Sequence, residues 1–342
     1  MLMSLVLYAA MLRSVGAGQS QPVGLGPHPV QYTASPGVAL YTRDGTEAEA
    51  LLRHADTAMY KAKLEGRSGR CFYDADLDRE MMRRLQIETA LGHQDVCDGL
   101  SVVFQPQFRL SDTSIIGAEA LLRWTHPELG MVSPGEFIPI AESTKAIMRL
   151  GAWIMEAALA ASKAWAALKL QVPQIAINVS PAQFANESIS DMLLELCQKY
   201  GVPTESLEVE ITEFLMLEMN DGIMRQLNAR RAAGVGLALD DFGTGYASMR
   251  YLLELPITRL KIDRSFVTGV VEGRDADRAV VEVMVDLGHR FGASVLAEGV
   301  ETQAQLEFLK STGCDEVQGY PLARPQGMAG ITKMLSAPGA PA

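Results

Sequence analysis

An α/β barrel is the fold this sequence predicts, and two observations carry the prediction. Short apolar runs recur from about residue 115 onward, several followed by helical patterns, and an acidic or amide residue closes each run. The runs Ile115 to Ala118, Ile175 to Ile177, Leu207 to Val209, Val235 to Leu239 and Ser294 to Ala297 end at Glu119, Asn178, Glu210, the Asp240-Asp241 pair and Glu298. Recurring strand-then-helix units imply parallel strands, and parallel strands carry chemistry at their C-terminal ends. Oxygen ligands far apart in sequence then meet at one mouth of the barrel.

Those residue types suit a hard divalent cation. Mg2+ and Mn2+ take carboxylate, amide and water oxygens, and the sequence holds no His or Cys cluster of the kind zinc prefers. Neighbouring residues on a strand point to opposite faces, so Asp240 and Asp241 reach one site only if the strand ends there. Phe242-Gly243-Thr244-Gly245 is the expected ending, its glycines free to adopt conformations other residues avoid. Two carboxylates so close repel unless cations lie between them. Two metals roughly 3.5–4 Å apart can clamp a phosphodiester and activate water. Lys261, inside the apolar run Leu260-Lys261-Ile262-Asp263, is either an edge-strand or structurally paired lysine, with Asp263 as its partner, or a cation aimed into the same mouth.

Taken in order, these residues resemble the EAL family of cyclic-di-GMP phosphodiesterases from about Ser101 to Ile331. The tripeptide Glu119-Ala120-Leu121 precedes Leu122-Arg123-Trp124. Around it stand Gln105-Pro106, Ser133-Pro134-Gly135-Glu136-Phe137, Asn178-Val179-Ser180, Glu210-Ile211-Thr212-Glu213, Asp240 to Tyr246, Lys261-Ile262-Asp263, Ala297 to Glu301 and Gln318-Gly319-Tyr320. The resemblance implies a modified TIM-like (β/α)8 barrel that hydrolyses cyclic di-GMP to linear pGpG with two Mg2+ or Mn2+ ions. By position, Glu119, Asn178, Glu210 and Asp240 correspond to ligands of the first metal, with Asp240 and Asp241 serving the second. Lys261 and Glu298 correspond to residues flanking the attacking water, Glu298 as general base. Glu213 matches a glutamate that steadies the loop after the aspartate pair. Gln105, Arg123, Glu301 and Gln318 match substrate-side or supporting positions. Two departures stand out: Lys145 follows Thr144 where a Thr-Gly pair is usual, and Ala247 replaces a common serine.

Residues 31–78 resemble the C-terminal end of a GGDEF diguanylate cyclase domain, through Tyr32 to Tyr41, Asp44-Gly45-Thr46 and Arg53 to Lys63. A capping box at Thr46 and Glu49 and a stripe of Leu52, Ala55, Met59 and Ala62 predict a helix there. The cyclase signature has no counterpart and no Gly-Gly pair occurs in the chain, so the fragment is expected to be a truncated remnant of two strands and a helix. Pro36 removes a ladder donor. Residues 79–98, with Met82, Leu85, Ile87 and Leu91, read as a connecting helix, and 99–335 as the barrel, followed by a tail over 336–342. Residues 1–30 are an uncertain segment: Met1 to Leu12 is too short to span a bilayer and reads as an amphipathic helix, and Gly16 to Pro29 as a loop.

Composition sets the outer limits. The 342 residues are 48% hydrophobic and 21% charged, enough for a substantial core. A formal charge of −11 disfavours DNA or RNA as a partner, while bound cations would reverse the local sign for a small dianion. Cys71, Cys97, Cys197 and Cys314 show no paired spacing and read as free thiols of a reducing cytoplasm. The other patterns read as scaffold: Ser133, Pro134 and Glu136 as a capped helix start, Trp153, Trp165 and Leu168 as a buried helix face, and His126 as a loop hydrogen-bonder. Cyclic di-GMP is the expected partner, with a homodimer through the barrel as the possible assembly. The competing functions are a silent cyclic-di-GMP receptor and a docking protein acting through the remnant.

Overall fold

The computed structural model describes residues 23–25, 28–30, 35–64, 70–170, 174–184, 188–217, 219–243 and 249–336. The chain divides into two compact units, residues 1–89 and 90–342.

In the first unit, β1 (Val23–Leu25) and β2 (His28–Val30) pair antiparallel, so the stretch expected as a loop contains a hairpin. The expected helix over Met1 to Leu12 lies outside the described residues. Next, β3 (Gly37–Val38), α1 (Ala48–Leu64) and β4 (Cys71–Phe72) form a strand-helix-strand unit with parallel strands. Pro36 stands before β3, where only its carbonyl is needed: it accepts from Cys71 N at 3.1 Å. The packed face of α1 differs from the expected stripe. Leu52 is 69% exposed, and Ala58 takes the core position with Tyr73 and Leu77. The expected connecting helix begins earlier and ends sooner, as α2 (Ala75–Gly92), with Met82 and Leu85 exposed and Ile87 and Leu91 buried.

In the second unit, eight of the described strands close a barrel. They are β5 (Leu100–Arg109), β6 (Ile115–His126), β8 (Gln174–Asn178), β9 (Leu207–Thr212), β10 (Gly236–Phe242), β11 (Arg259–Ile262), β12 (Ser294–Val300) and β13 (Glu316–Gly319). Around the barrel the order is β5-β13-β12-β11-β10-β9-β8-β6, and β6 pairs again with β5 to close it; β7 (Gly130–Val132) hangs on β6 outside the ring. Five strands, β8 to β12, run parallel to their barrel neighbours on both sides and β6 and β13 share one such edge, whereas β5 is antiparallel to both β6 and β13. That reversed strand is the departure from an ordinary (β/α)8 barrel. It follows from the short β5–β6 connection, since parallel neighbours need a longer crossover.

Helices cover the outside: α3 (Pro134–Ser143), α4 (Ile147–Ala167), α5 (Pro181–Phe184), α6 (Ser188–Tyr200), α7 (Asp221–Ala232), α8 (Met249–Glu254), α9 (Arg264–Val271), α10 (Asp275–Arg290), α11 (Gln303–Thr312) and α12 (Met328–Leu335). Ser133 starts α3 as the sequence predicts, with Pro134 first in the helix and Glu136 reaching back to Ser133 N at 3.4 Å. On α4, Trp165 is fully buried, edge-on to Phe104 at 5.2 Å between centroids, and donates through Nε1 to Thr332 Oγ1 at 2.9 Å. Leu168, expected on that buried face, is 58% exposed because the helix ends at Ala167. His126 Nδ1 accepts from Glu128 N and Leu129 N, the loop role its position suggested. Cys71, Cys97, Cys197 and Cys314 are free. Among the described residues, no helix is long and apolar enough to cross a membrane.

Candidate active site

Lys261 is the centre of the site. It lies on β11, an interior strand between β10 and β12, and its side chain is fully buried. This removes the edge-strand reading, and Asp263 is not its partner: that carboxylate caps α9, accepting from Ser265 N at 2.9 Å. The Lys261 ammonium instead sits 2.8 Å from Glu210, 3.1 Å from Asp240 and 2.7 Å from Glu298. Burial alone would strip such a lysine of its proton. The carboxylates of Asp240, Glu119, Glu210 and Glu298 outweigh it and hold the pKa well above the usual range.

Adjacent strands deliver the acids in register. Asn178 pairs with Glu210 across β8 and β9, and Glu210 with Ala238 across β9 and β10, two residues before Asp240. Asn178 Nδ2 donates to Glu119 Oε1 and Gln318 Nε2 to Glu119 Oε2, both at 2.7 Å. Glu119 is not at a strand end. β6 continues to His126, paired with β5 and β7, after its pairing with β8 stops at Ala120. Gln105 faces Glu119 directly in the β5–β6 register.

The aspartate pair is accommodated differently from expectation. β10 does not end before Phe242; its register with β11 shifts between Leu239 and Phe242, and Asp241 takes φ +56°. The left-handed residue makes a bulge, which lets consecutive side chains escape strict alternation. Asp241 N donates to Asp240 Oδ1 at 2.9 Å. Burial, then the charge of Asp240, pushes the Asp241 carboxyl up to about 6. Glu213, itself buried, accepts from Gly243 N at 2.9 Å and so ties down the backbone just after the bulge.

Electrostatically the site lacks positive charge. Burial and the neighbouring Glu119 push Glu210 far above the carboxylate range, and burial raises Glu298 to about 8 despite Lys261. Glu119 goes the other way: Lys261, Gln318 and Asn178 outweigh its burial and lower its pKa. The contacts to Lys261 do not have hydrogen-bond geometry, so Lys261 Nζ and both Glu210 oxygens are buried without a directed partner. Among the described residues no three acidic, His or Cys side chains are already closed round a metal-sized point. The ammonium occupies the middle of the acids. Even so, an excess of carboxyl groups round one ammonium, with no directed hydrogen bond to either Glu210 oxygen, is the chemistry of a divalent-cation site, and oxygen-only donors suit Mg2+ or Mn2+.

Two cavities flank the Glu119–Asn178 pair. One, about 190 Å3, is lined by Gln105, Glu119, Glu298, Glu301, Gln318 and also Arg264 and Tyr320. The other, about 260 Å3, is mostly apolar and is lined by Asn178, Arg123, Ile138, Leu150 and Val179 among others. Arg123 Nη1 donates to Leu122 O at 2.8 Å. Thus Gln105, Glu301 and Gln318 share one cavity while Arg123 opens on the other. Sequence reasoning missed Arg264, whose Nη2 reaches Glu301 Oε1 at 2.7 Å, and gave no role to Tyr320. Arg264 directly follows the cap of a helix and three residues earlier stands Lys261, the one signal that could have drawn notice. Deeper in the barrel, Arg259 joins Glu208 and, at 2.6 Å, Glu316, a buried ion cluster that occupies the strand face two residues before Lys261.

The loop departure at Lys145 also has a structural form. Lys145 adopts φ +63°, the left-handed conformation that the usual glycine adopts freely, so the turn persists with a strained residue in it.

Comparison with known proteins identifies the family. Residues 86–325 match the family model "EAL domain", and residues 6–69 match "Diguanylate cyclase, GGDEF domain", a span that begins and ends earlier than the expected 31–78. The chain is 38% identical over 306 residues to the "Bifunctional diguanylate cyclase/cyclic di-GMP phosphodiesterase MucR" of Pseudomonas aeruginosa, covering 90% of this chain and 44% of that protein. It is 33% identical over 317 residues to "Cyclic di-GMP phosphodiesterase NbdA" of the same organism, covering 93% of this chain and 40% of the relative. This chain therefore spans less than half the length of these two curated relatives. The solved structure "PaMucR Phosphodiesterase, c-di-GMP complex" superposes with a TM-score of 0.68 at 35% identity, covering 72% of this chain and 99% of that one. The family match spans well over half of the sequence, and the chain belongs to the EAL domain family.

Proposed function

We propose that the barrel is a divalent-metal-dependent phosphodiesterase that opens cyclic di-GMP to linear pGpG. The observation that carries this reading is the buried Lys261 ammonium, ringed by Glu210, Asp240 and Glu298 beside Glu119. Relatives named as cyclic di-GMP phosphodiesterases support it.

Glu119, Asn178, Glu210 and Asp240 would hold one Mg2+ or Mn2+ ion, and Asp240 with Asp241 a second. Such cations, when bound, supply countercharge to the phosphodiester and lower the pKa of water. Asn178 and Gln318 fix both oxygens of Glu119, so that carboxylate keeps one orientation as ligands arrive. The Asp241 bulge would let the second carboxylate of the pair reach the same mouth, and Glu213 restrains the chain that follows it. Glu298, 2.7 Å from Lys261, would act as the general base that takes the proton of the attacking water. Lys261 holds Glu298 in position and stabilises charge developing on the phosphate. Gln105, Gln318 and Glu301 line the substrate side of the acid cavity, and Arg123 faces the neighbouring one.

Incubation of the purified chain with cyclic di-GMP should yield pGpG in Mg2+ or Mn2+ and none in a chelator or in Ca2+ alone. Ca2+ prefers longer bonds and more ligands, so it should bind without supporting in-line geometry. Glu119→Ala should lower turnover on the order of a hundred-fold or more. Metal-independent turnover, or tight binding with no product in any metal, would overturn the reading.

A further inference from the structure

We infer that Arg264 is a substrate-binding residue that takes the second, unreacting phosphodiester of a cyclic dinucleotide at the lip of the acid cavity. The inference rests on the phosphodiesterase reading above and adds a residue and a specificity to it.

Among the described residues, Arg264 is the single cation lining the cavity that holds Glu119 and Glu298. Its place is built into the fold. It opens α9 directly after the Asp263 cap, three residues past Lys261. Its aliphatic stem lies against Gly299, which has φ +61°; a Cβ there would stand 2.3 Å from Arg264 Cγ. Only glycine leaves room for the side chain to lie across that backbone, and the conformation is one that glycine adopts freely. Glu301 then orients the head, accepting from Nη2 at 2.7 Å. A guanidinium carries five N–H donors in a rigid fork, and its other edge can receive phosphate oxygens as a bidentate pair.

The shape of the cavity supplies the reason for a second anion site. The space around Glu119 and Glu298, about 190 Å3, is open on one side, so a cyclic dinucleotide whose reacting phosphodiester meets the acids extends past its lip. The second phosphate, carried on the far side of the ring, therefore lies outward of the acids, where Arg264 is 61% exposed. An exposed Arg–Glu pair by itself contributes little to stability. A fixed guanidinium on the rim of an acidic site makes a larger difference to a dianion, which the surrounding carboxylates otherwise repel.

The test compares wild type, Arg264→Gln and Arg264→Lys, each checked by circular dichroism melting. Calorimetry with cyclic di-GMP in Ca2+ should show binding to Arg264→Gln weakened about ten-fold, the loss of one charge-assisted contact, and Arg264→Lys in between. In Mg2+ the variant's KM for cyclic di-GMP should rise by a similar factor while kcat falls less than two-fold. The loss of kcat/KM should be at least about five times smaller for bis(4-nitrophenyl) phosphate, which carries one phosphodiester only. Equal losses on both substrates, or an unchanged dissociation constant, would overturn the inference and return Arg264 to a surface ion pair. A wild-type chain that neither binds nor hydrolyses cyclic di-GMP would overturn the phosphodiesterase reading together with this one, and that arm is read before any variant.

Discussion

Glu213 Oε2 accepts a hydrogen bond from Gly243 N at 2.9 Å, across from the end of β9 to the turn after β10. Thirty residues separate the two in sequence, yet this bond restrains the segment that follows the Asp240-Asp241 bulge. It makes Glu213 a support for the aspartates without placing it among the proposed ligands.

Glu213→Gln keeps the size of the side chain but sacrifices the charge that strengthens this bond. The metal concentration for half-maximal hydrolysis should rise by roughly ten-fold or more, as with other changes behind a ligand set. Titration of activity with Mg2+ reads this directly, and a superimposable curve would reduce Glu213 to a folding role.

Lys261→Met should behave differently with and without cations. Removing a buried ammonium leaves Glu210, Asp240 and Glu298 facing one another, a loss on the order of 3–5 kcal/mol for an uncompensated buried charge. Thermal melting in chelator should show a large drop, and excess Mg2+ should recover part of it while hydrolysis stays low. A variant as stable as wild type in chelator would mean that the acids are neutral there and that Lys261 is not their countercharge.

Asp241→Gly separates stability from activity. Asp241 sits at φ +56°, where glycine is at ease, and its carboxyl is held at about 6 by burial and by Asp240. The substitution removes both the strain and the repulsion, so the melting temperature should hold or rise, by up to about 1 kcal/mol in stability. Turnover should nevertheless fall on the order of a hundred-fold. If activity survives, the second carboxylate of the pair has no part in the chemistry.

Lys145→Gly tests backbone strain away from the site. With φ +63° and no side-chain advantage in that region, Lys145 carries about 1–2 kcal/mol that glycine would relieve, less the added entropy of the unfolded chain. Urea unfolding should shift its midpoint upward with an unchanged slope. A downward shift would show that the lysine side chain stabilises the turn by more than its backbone costs.

What was legible in the sequence was the repeated unit. Apolar runs ending in oxygen donors, with helices between them, are local patterns, and their recurrence alone implies parallel strands with one chemical end. Glu119, Asn178, Glu210, Asp240 and Glu298 follow from that pattern, Lys261 stands out as a cation inside an apolar run, and the fold brings them together. Local pattern also placed the capping of α3 at Ser133 and the loop role of His126, since both depend on residues within three positions.

Only tertiary structure decided which charge stands in the middle. An apolar run around Lys261 is equally consistent with an edge strand, and Asp263 two residues away is an equally plausible partner; closure of the barrel buries β11 between β10 and β12 and surrounds the ammonium with carboxylates from β9, β10 and β12. The same holds for the bulge at Asp241, the continuation of β6 past Glu119, the exposure of Leu52 and Leu168, and the reach of Arg264 over Gly299 to Glu301. Each depends on register or on contact between strands and helices distant in sequence. Hydrophobic periodicity marks which residues can be buried, but the charge balance of a site is set by everything that converges on it in space.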